Sequence, residues 1–242
     1  MYIYIMKYLA ICLFSLFIFS CSSPSLYDKE LLPEKIIVSE IRQAYSIVPL
    51  CYEMNEALII YPGGLVKPDA YIPLAANIAE KLQIAVFIQK MPFNLAIFGS
   101  GRGRSLMKSY KYIDHWYIAG HSLGGVMAAS YINENKNVFD GLIFLASYTM
   151  DKKSLAEVDI PVLSISGSED GLVTREKIEL SMDLLPESTI FAEIPGGNHA
   201  QFGSYGEQKG DNAAFISESE QHEKIVDLIQ SFLEEISLQK AY

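Results

Sequence analysis

The sequence predicts an α/β fold: a doubly wound, mainly parallel sheet of about six to eight strands with no lid or cap domain. Three observations lead there. Short apolar runs recur at 56–61, 84–88, 116–119, 141–146, 162–166 and 189–194, and they lack the polar alternation of a half-solvated strand. Such runs mark strands buried on both faces. Segments of helical spacing separate them, as parallel crossovers require. Finally, the turns that follow the strands, at 62–64, 120–124, 166–171 and 195–203, are polar or glycine-rich. In open sheets of this kind, ligands bind at the carboxyl ends of the strands.

Taken in order, the 242-residue chain opens with Lys7, an apolar stretch over 8–19 and then Ser20-Cys21-Ser22-Ser23. That is the layout of a secretory signal peptide, too short in its apolar part for a membrane span. Ile18-Phe19-Ser20-Cys21 is similar to a relaxed bacterial lipobox, with bulky Phe19 where a small residue is usual. The resemblance implies that residues 1–21 are leader and that Cys21 carries lipid. The protein is then expected in the bacterial envelope, membrane-anchored on the periplasmic or outer face, or secreted if Cys21 is not lipidated. Cys12 leaves with the leader and Cys51 stands alone as a small buried hydrophobe, so no internal disulfide is expected. Residues 22–35 read as a polar tether and residues 36–242 as a single domain. The net charge of −10, without a basic run, disfavours a nucleic-acid partner. Oligomeric state is not legible.

Within the domain, 36–54 reads as one or two short strands and 56–61 as the first fully buried one. Over 69–82, Tyr71, Leu74, Ala75, Ile78, Ala79 and Leu82 fall on one helical face. Further helices are expected over 104–112, 123–134, 174–184 and 220–236. The glycine- and arginine-bearing run 99–104 lacks the third glycine of a dinucleotide fingerprint and the lysine of a P-loop, so it reads as a flexible loop rather than a phosphate cradle. The 147–159 connection is too short for a lid domain, which leaves an open site.

The chemistry centres on Gly120-His121-Ser122-Leu123-Gly124, set between a buried strand and a helix of small residues. Gly-x-Ser-x-Gly in that context is a nucleophile elbow, and Ser122 is the candidate nucleophile. A serine hydroxyl needs a general base, and the base needs an acid partner. Of four histidines, His199 follows the last apolar strand. His115 lies at the opposite sheet edge, His121 is expected to point away from the reacting oxygen, and His222 reads as a solvated residue of the closing helix. Asp170 ends the strand between serine and histidine, with Glu169 as its alternative. A developing oxyanion needs two N–H donors. Leu123, after the nucleophile, supplies one. The turn after Tyr61 supplies the other through Gly64, with Gly63 and Leu65 as neighbouring alternatives. No cofactor is implied, and no cluster has metal-ligand spacing.

These blocks resemble the α/β-hydrolase superfamily, and more narrowly a bacterial branch catalogued as alpha/beta hydrolase fold family five. They are Tyr61-Pro-Gly-Gly, Met91-Pro-Phe-Asn-Leu-Ala, the elbow, Gly167-Ser-Glu-Asp-Gly and the tail over 197–211. The resemblance spans about residues 57–232 and implies the triad Ser122, Asp170, His199. The expected activity is cleavage of a small acyl ester through an acyl-enzyme. An acyltransferase, a thioesterase or a non-catalytic binding lipoprotein are the alternatives. In the tail, Asn198, Tyr205 and Gln208 either brace the histidine loop or touch substrate.

Overall fold

The computed structural model describes residues 32–50 and 54–240; Cys12, Cys21 and Cys51, and with them the leader and the expected lipidation site, lie outside them. Eight strands form one sheet: β1 (Ile36–Glu40), β2 (Ala44–Pro49), β3 (Glu56–Tyr61), β4 (Ala85–Gln89), β5 (His115–His121), β6 (Gly141–Leu145), β7 (Val162–Gly167) and β8 (Ile190–Ile194). Their spatial order is β1-β2-β4-β3-β5-β6-β7-β8. β1 and β2 are antiparallel additions, and every pairing from β4 to β8 is parallel. Among the described residues there are five α-helices: α1 (Ile72–Leu82), α2 (Arg102–Met107), α3 (Leu123–Glu134), α4 (Arg175–Ser181) and α5 (Glu218–Lys240).

The apolar runs are buried on both sides because successive residues alternate between two cores. Leu58 and Ile60 face the core shared with α1 and α5, while Ala57, Ile59 and Tyr61 face the one shared with α2 and α3. In β8 the outer half is partly solvated, as an edge strand allows. The fold class is as the sequence predicts. Helix α2 differs: it begins at Arg102, two residues before the expected start at Arg104 and within the run expected as a loop, and ends at Met107 rather than near 112. The buried Tyr61 hydroxyl explains the early start, since it donates to the Ser100 carbonyl (2.5 Å) and accepts the Gly103 N–H (3.2 Å). The run is therefore an anchored helix start, not a free loop. Among the described residues, the β6–β7 connection holds only the short 3-10 turn Asp151–Lys153, and no lid is present. No described helix is long and apolar enough to cross a membrane.

Candidate functional site

The site assembles at the carboxyl ends of β3, β5, β7 and β8. β5 ends in the sharp turn at Ser122, whose φ of 51° and ψ of −122° are costly for a residue with a side chain. Strain of this kind is worth about 1–3 kcal/mol and persists only where the surroundings impose it. Here they do. The Ser122 N–H donates to the Leu145 carbonyl (3.1 Å). Its own carbonyl accepts the Ser147 hydroxyl (2.6 Å) and the N–H groups of Gly125 and Val126. A Cβ on Gly120 would lie 2.4 Å from Gly125 Cα, and one on Gly124 would lie 2.2 Å from the Tyr61 carbonyl oxygen. Only glycine permits α3 to start so close to β3 and β5. Ser122 itself is partly exposed.

The base and acid turns lie at the same sheet edge, where the His199 ring packs against His121, the residue before Ser122. His199 Nδ1 lies 2.8 Å from Asp170 Oδ2, both side chains being almost wholly buried. A carboxylate accepts, so the proton sits on Nδ1 and leaves Nε2 as the basic nitrogen. That Nε2 is buried and makes no hydrogen bond among the described residues. The other carboxylate oxygen, Asp170 Oδ1, accepts the N–H groups of Leu172 (2.8 Å) and Val173 (2.6 Å), which fixes the acid's orientation. Glu169, the alternative acid, instead accepts the neighbouring Ser168 hydroxyl.

The two turns are tied together by the tail that follows His199. Asp211 accepts Gly171 N–H (3.0 Å) from the acid turn and Ala200 N–H (2.8 Å) from the base turn, one on each oxygen. Asn198 exchanges two backbone bonds with the Gln221 side chain of α5 (3.0 and 2.9 Å). Its own amide donates to Asn212 O and accepts Gln201 N–H. The Tyr205 hydroxyl donates to Gln208 Oε1 (3.0 Å). Asn198, Tyr205 and Gln208 thus all make bracing bonds within the loop.

On the other side of Ser122, the turn after β3 carries three consecutive backbone N–H groups with different fates. Gly63 N–H donates to the Tyr71 hydroxyl (2.9 Å), and Leu65 N–H to the Asn94 carbonyl (2.8 Å). Gly64 N–H between them has no acceptor among the described residues, nor does Leu123 N–H at the start of α3. The two residues adjoin: a Cβ on Gly64 would meet the Leu123 side chain at 3.1 Å.

One histidine departs from expectation. His222 is not solvated but buried to 2% exposure under the base loop. Periodicity on a charged helix does not reveal this, because the tail folds back over that face. Burial holds its pKa down to about 4, and a contact with the Gln201 backbone offsets only part of this. His121 does point away from the solvent side of Ser122, yet it packs against the base: its ring centroid is 4.6 Å from that of His199. His115 lies at the far end of β5, as expected, where its Nδ1 is 3.3 Å from Asp140 Oδ1. Tyr71, read from sequence only as a core residue, and Ser147 were the groups sequence reasoning missed. A lone tyrosine ahead of a helix carries no motif.

A family model described as Alpha/beta hydrolase family matches residues 57–223. No curated protein sequence matches the chain. Among solved structures, Est1E from Butyrivibrio proteoclasticus with ferulic acid bound aligns with a TM-score of 0.62 at 14% identity, covering 85% of this chain and 97% of that one. A hyperthermophilic esterase from Pyrobaculum calidifontis aligns at 0.61 and 14% identity, covering 84% and 87%. A dienelactone hydrolase from Anabaena variabilis aligns at 0.61 and 15% identity, covering 82% and 99%. At these identities the likeness is one of fold.

Proposed function

The chain belongs to the alpha/beta hydrolase family, and from that premise we propose that it is a serine hydrolase of small acyl esters. One observation carries the reading: a buried Asp170–His199 pair of 2.8 Å whose Nε2 is left basic and unbonded, in a fold that presents a strained serine at the same sheet edge. Buried polar atoms are normally paired; His121 and His222 also have an unpaired Nε2, but only His199 has its other nitrogen on a buried carboxylate at the sheet edge that carries the strained serine, which supports a reacting role over a structural one.

In this mechanism Ser122 Oγ attacks the acyl carbonyl while its proton passes to His199 Nε2. Asp170 stabilises the imidazolium through Nδ1–H. The oxyanion takes hydrogen bonds from Leu123 N–H and Gly64 N–H, each worth roughly 2.7–4 kcal/mol of barrier. His199 then protonates the leaving alkoxide. Water, deprotonated by the same nitrogen, hydrolyses the acyl-enzyme. The esterases and the lactone hydrolase among the structural relatives support an ester bond as substrate, as does the lidless β6–β7 connection.

The test is turnover of p-nitrophenyl acetate and butyrate by the purified protein and by Ser122→Ala. The variant is expected to lose at least about a thousandfold in kcat while keeping its circular dichroism spectrum. Equal turnover by the two proteins would overturn the assignment.

A further inference from the structure

We propose that Tyr71 and His121 form a positioning bridge, which locks the oxyanion turn to the catalytic base and confines their joint geometry to the one the reaction needs. This rests on the serine-hydrolase reading above. Neither residue touches the reacting atoms in that mechanism.

The bridge is built from three consecutive groups, all buried. Gly63 N–H donates to the Tyr71 oxygen at 2.9 Å, and the Tyr71 oxygen lies 2.7 Å from His121 Nδ1. A hydroxyl has one proton, and among the described residues the Tyr71 proton has no acceptor other than His121 Nδ1. The bridge therefore has Tyr71 donating to Nδ1 and His121 carrying its own proton on Nε2, which faces the His199 backbone without a full hydrogen bond. Burial favours the protonated phenol, raising the Tyr71 pKa against the smaller opposing effect of the Gly63 bond. Burial and the neighbouring His199 likewise keep His121 neutral, well below the ordinary histidine pKa. The rings facing His121 are those of Tyr71, His199, Phe202 and Tyr205. His199 is the one charged or titratable neighbour that shifts it, and no carboxylate contributes.

The consequences are geometric at one end and electrostatic at the other. With Gly63 held by Tyr71 and Leu65 by Asn94, the peptide between them has little freedom. In the proposed mechanism this fixes the direction of Gly64 N–H, whose residue adjoins Leu123 next to the nucleophile. At the other end, a neutral ring packs on His199. A cation there would oppose the imidazolium that forms as Ser122 attacks. The fit is tight: a Cβ on Gly63 would lie 2.8 Å from His121 Nδ1 and 3.1 Å from the Tyr71 oxygen. Gly63 therefore serves the bridge as Gly120 and Gly124 serve the elbow.

Tyr71→Phe removes the hydroxyl and nothing else. For p-nitrophenyl butyrate, kcat is expected to fall at least tenfold with KM within about twofold, because a misaimed oxyanion donor is missed only in the transition state. Without the hydroxyl to donate to Nδ1, the tautomer of His121 is no longer fixed, and its nitrogen-15 shifts are expected to show a mixture of Nδ1–H and Nε2–H forms. A merely structural loss moves neither the kcat-to-KM split nor the tautomer. A kcat within twofold and an unchanged tautomer would overturn the bridge.

Should Tyr71→Phe not fold, His121→Phe keeps an aromatic ring in the packing and removes both ring nitrogens, the Nδ1 acceptor among them. Full kcat in that variant would equally overturn it. In the unmutated protein, nitrogen-15 shifts must show His121 as the neutral Nε2–H tautomer at pH 7; an Nδ1–H or cationic ring refutes the bridge. Fluorophosphonate labelling of Ser122 separates the two levels. No labelling defeats the hydrolase reading, whereas the tautomer measurement judges the bridge independently of it.

Discussion

Around Ser122 the chain is shaped by side chains that are missing. Gly120 and Gly124 let two strands and a helix meet at separations no Cβ tolerates, and the main chain itself supplies most of the hydrogen bonds. Around His199 the chain is shaped by side chains that are present. Asp211, Asn198 and Gln221 tie three segments that have no regular structure of their own. A turn held by steric exclusion fails abruptly when filled, because backbone has no alternative rotamer. A turn held by polar side chains fails by degrees, one bond at a time, and its bonds and buried histidines respond to pH.

The sharpest way to break the first turn is Gly124→Ala. The new Cβ would sit 2.2 Å from the Tyr61 carbonyl oxygen and 2.6 Å from that of Pro62, so β3 and α3 must part. The expected cost is about 3 kcal/mol or more, or a fall in Tm of roughly 10 °C. Fluorophosphonate labelling of Ser122 is expected to vanish with it. A thermal scan showing a parent-like Tm would mean that the elbow yields where the geometry says it cannot.

The matching experiment on the second turn is Asp211→Asn. The amide keeps the shape but offers one acceptor oxygen where the carboxylate serves Gly171, Ala200 and Asn212. Charged acceptors of N–H bonds contribute about 1.5–3 kcal/mol each, and the substitution keeps part of that set. A loss of about 2–3 kcal/mol by urea unfolding is expected, with kcat lower and Ser122 still labelled, more slowly. Complete loss of labelling would place Asp211 in a more direct role than bracing.

The same contrast explains what the sequence made legible. The elbow announces itself because missing side chains leave a pattern, glycines at fixed spacing around Ser122 between an apolar run and small residues. The parallel sheet was legible for a similar reason, since burial on both faces removes polar alternation from β3 to β7. Asp170 and His199 could be nominated from their places after strands, in the right chain order. Their partners could not be paired in advance. Asp211 bridging Gly171 to Ala200 spans 40 and 11 residues, and such a bond has no local signature. His222 was misjudged because it is buried under the loop that follows His199, whose path is set by polar contacts rather than by periodicity. The start of α2 was hidden in the same way, behind the hydroxyl of Tyr61.

His222 allows the pH sensitivity of the braced turn to be measured. Its folded-state pKa of about 4 lies below the ordinary histidine value. As the pH falls, the unfolded chain therefore takes up the proton first. The stability due to this group is fully present above about pH 6.5 and is lost as the pH falls toward 4; about 2 kcal/mol of it is gone by pH 5. His222→Gln keeps a polar side chain at 2% exposure but does not titrate. The difference in unfolding free energy between pH 8 and pH 5 is expected to shrink by about that amount in the variant, whatever the substitution costs at pH 8. His121 stays in place, so a residual acid sensitivity persists. Should the difference between the two pH values stay as large as in the parent, His222 would not be the buried neutral group that the packing of α5 under the base loop makes it.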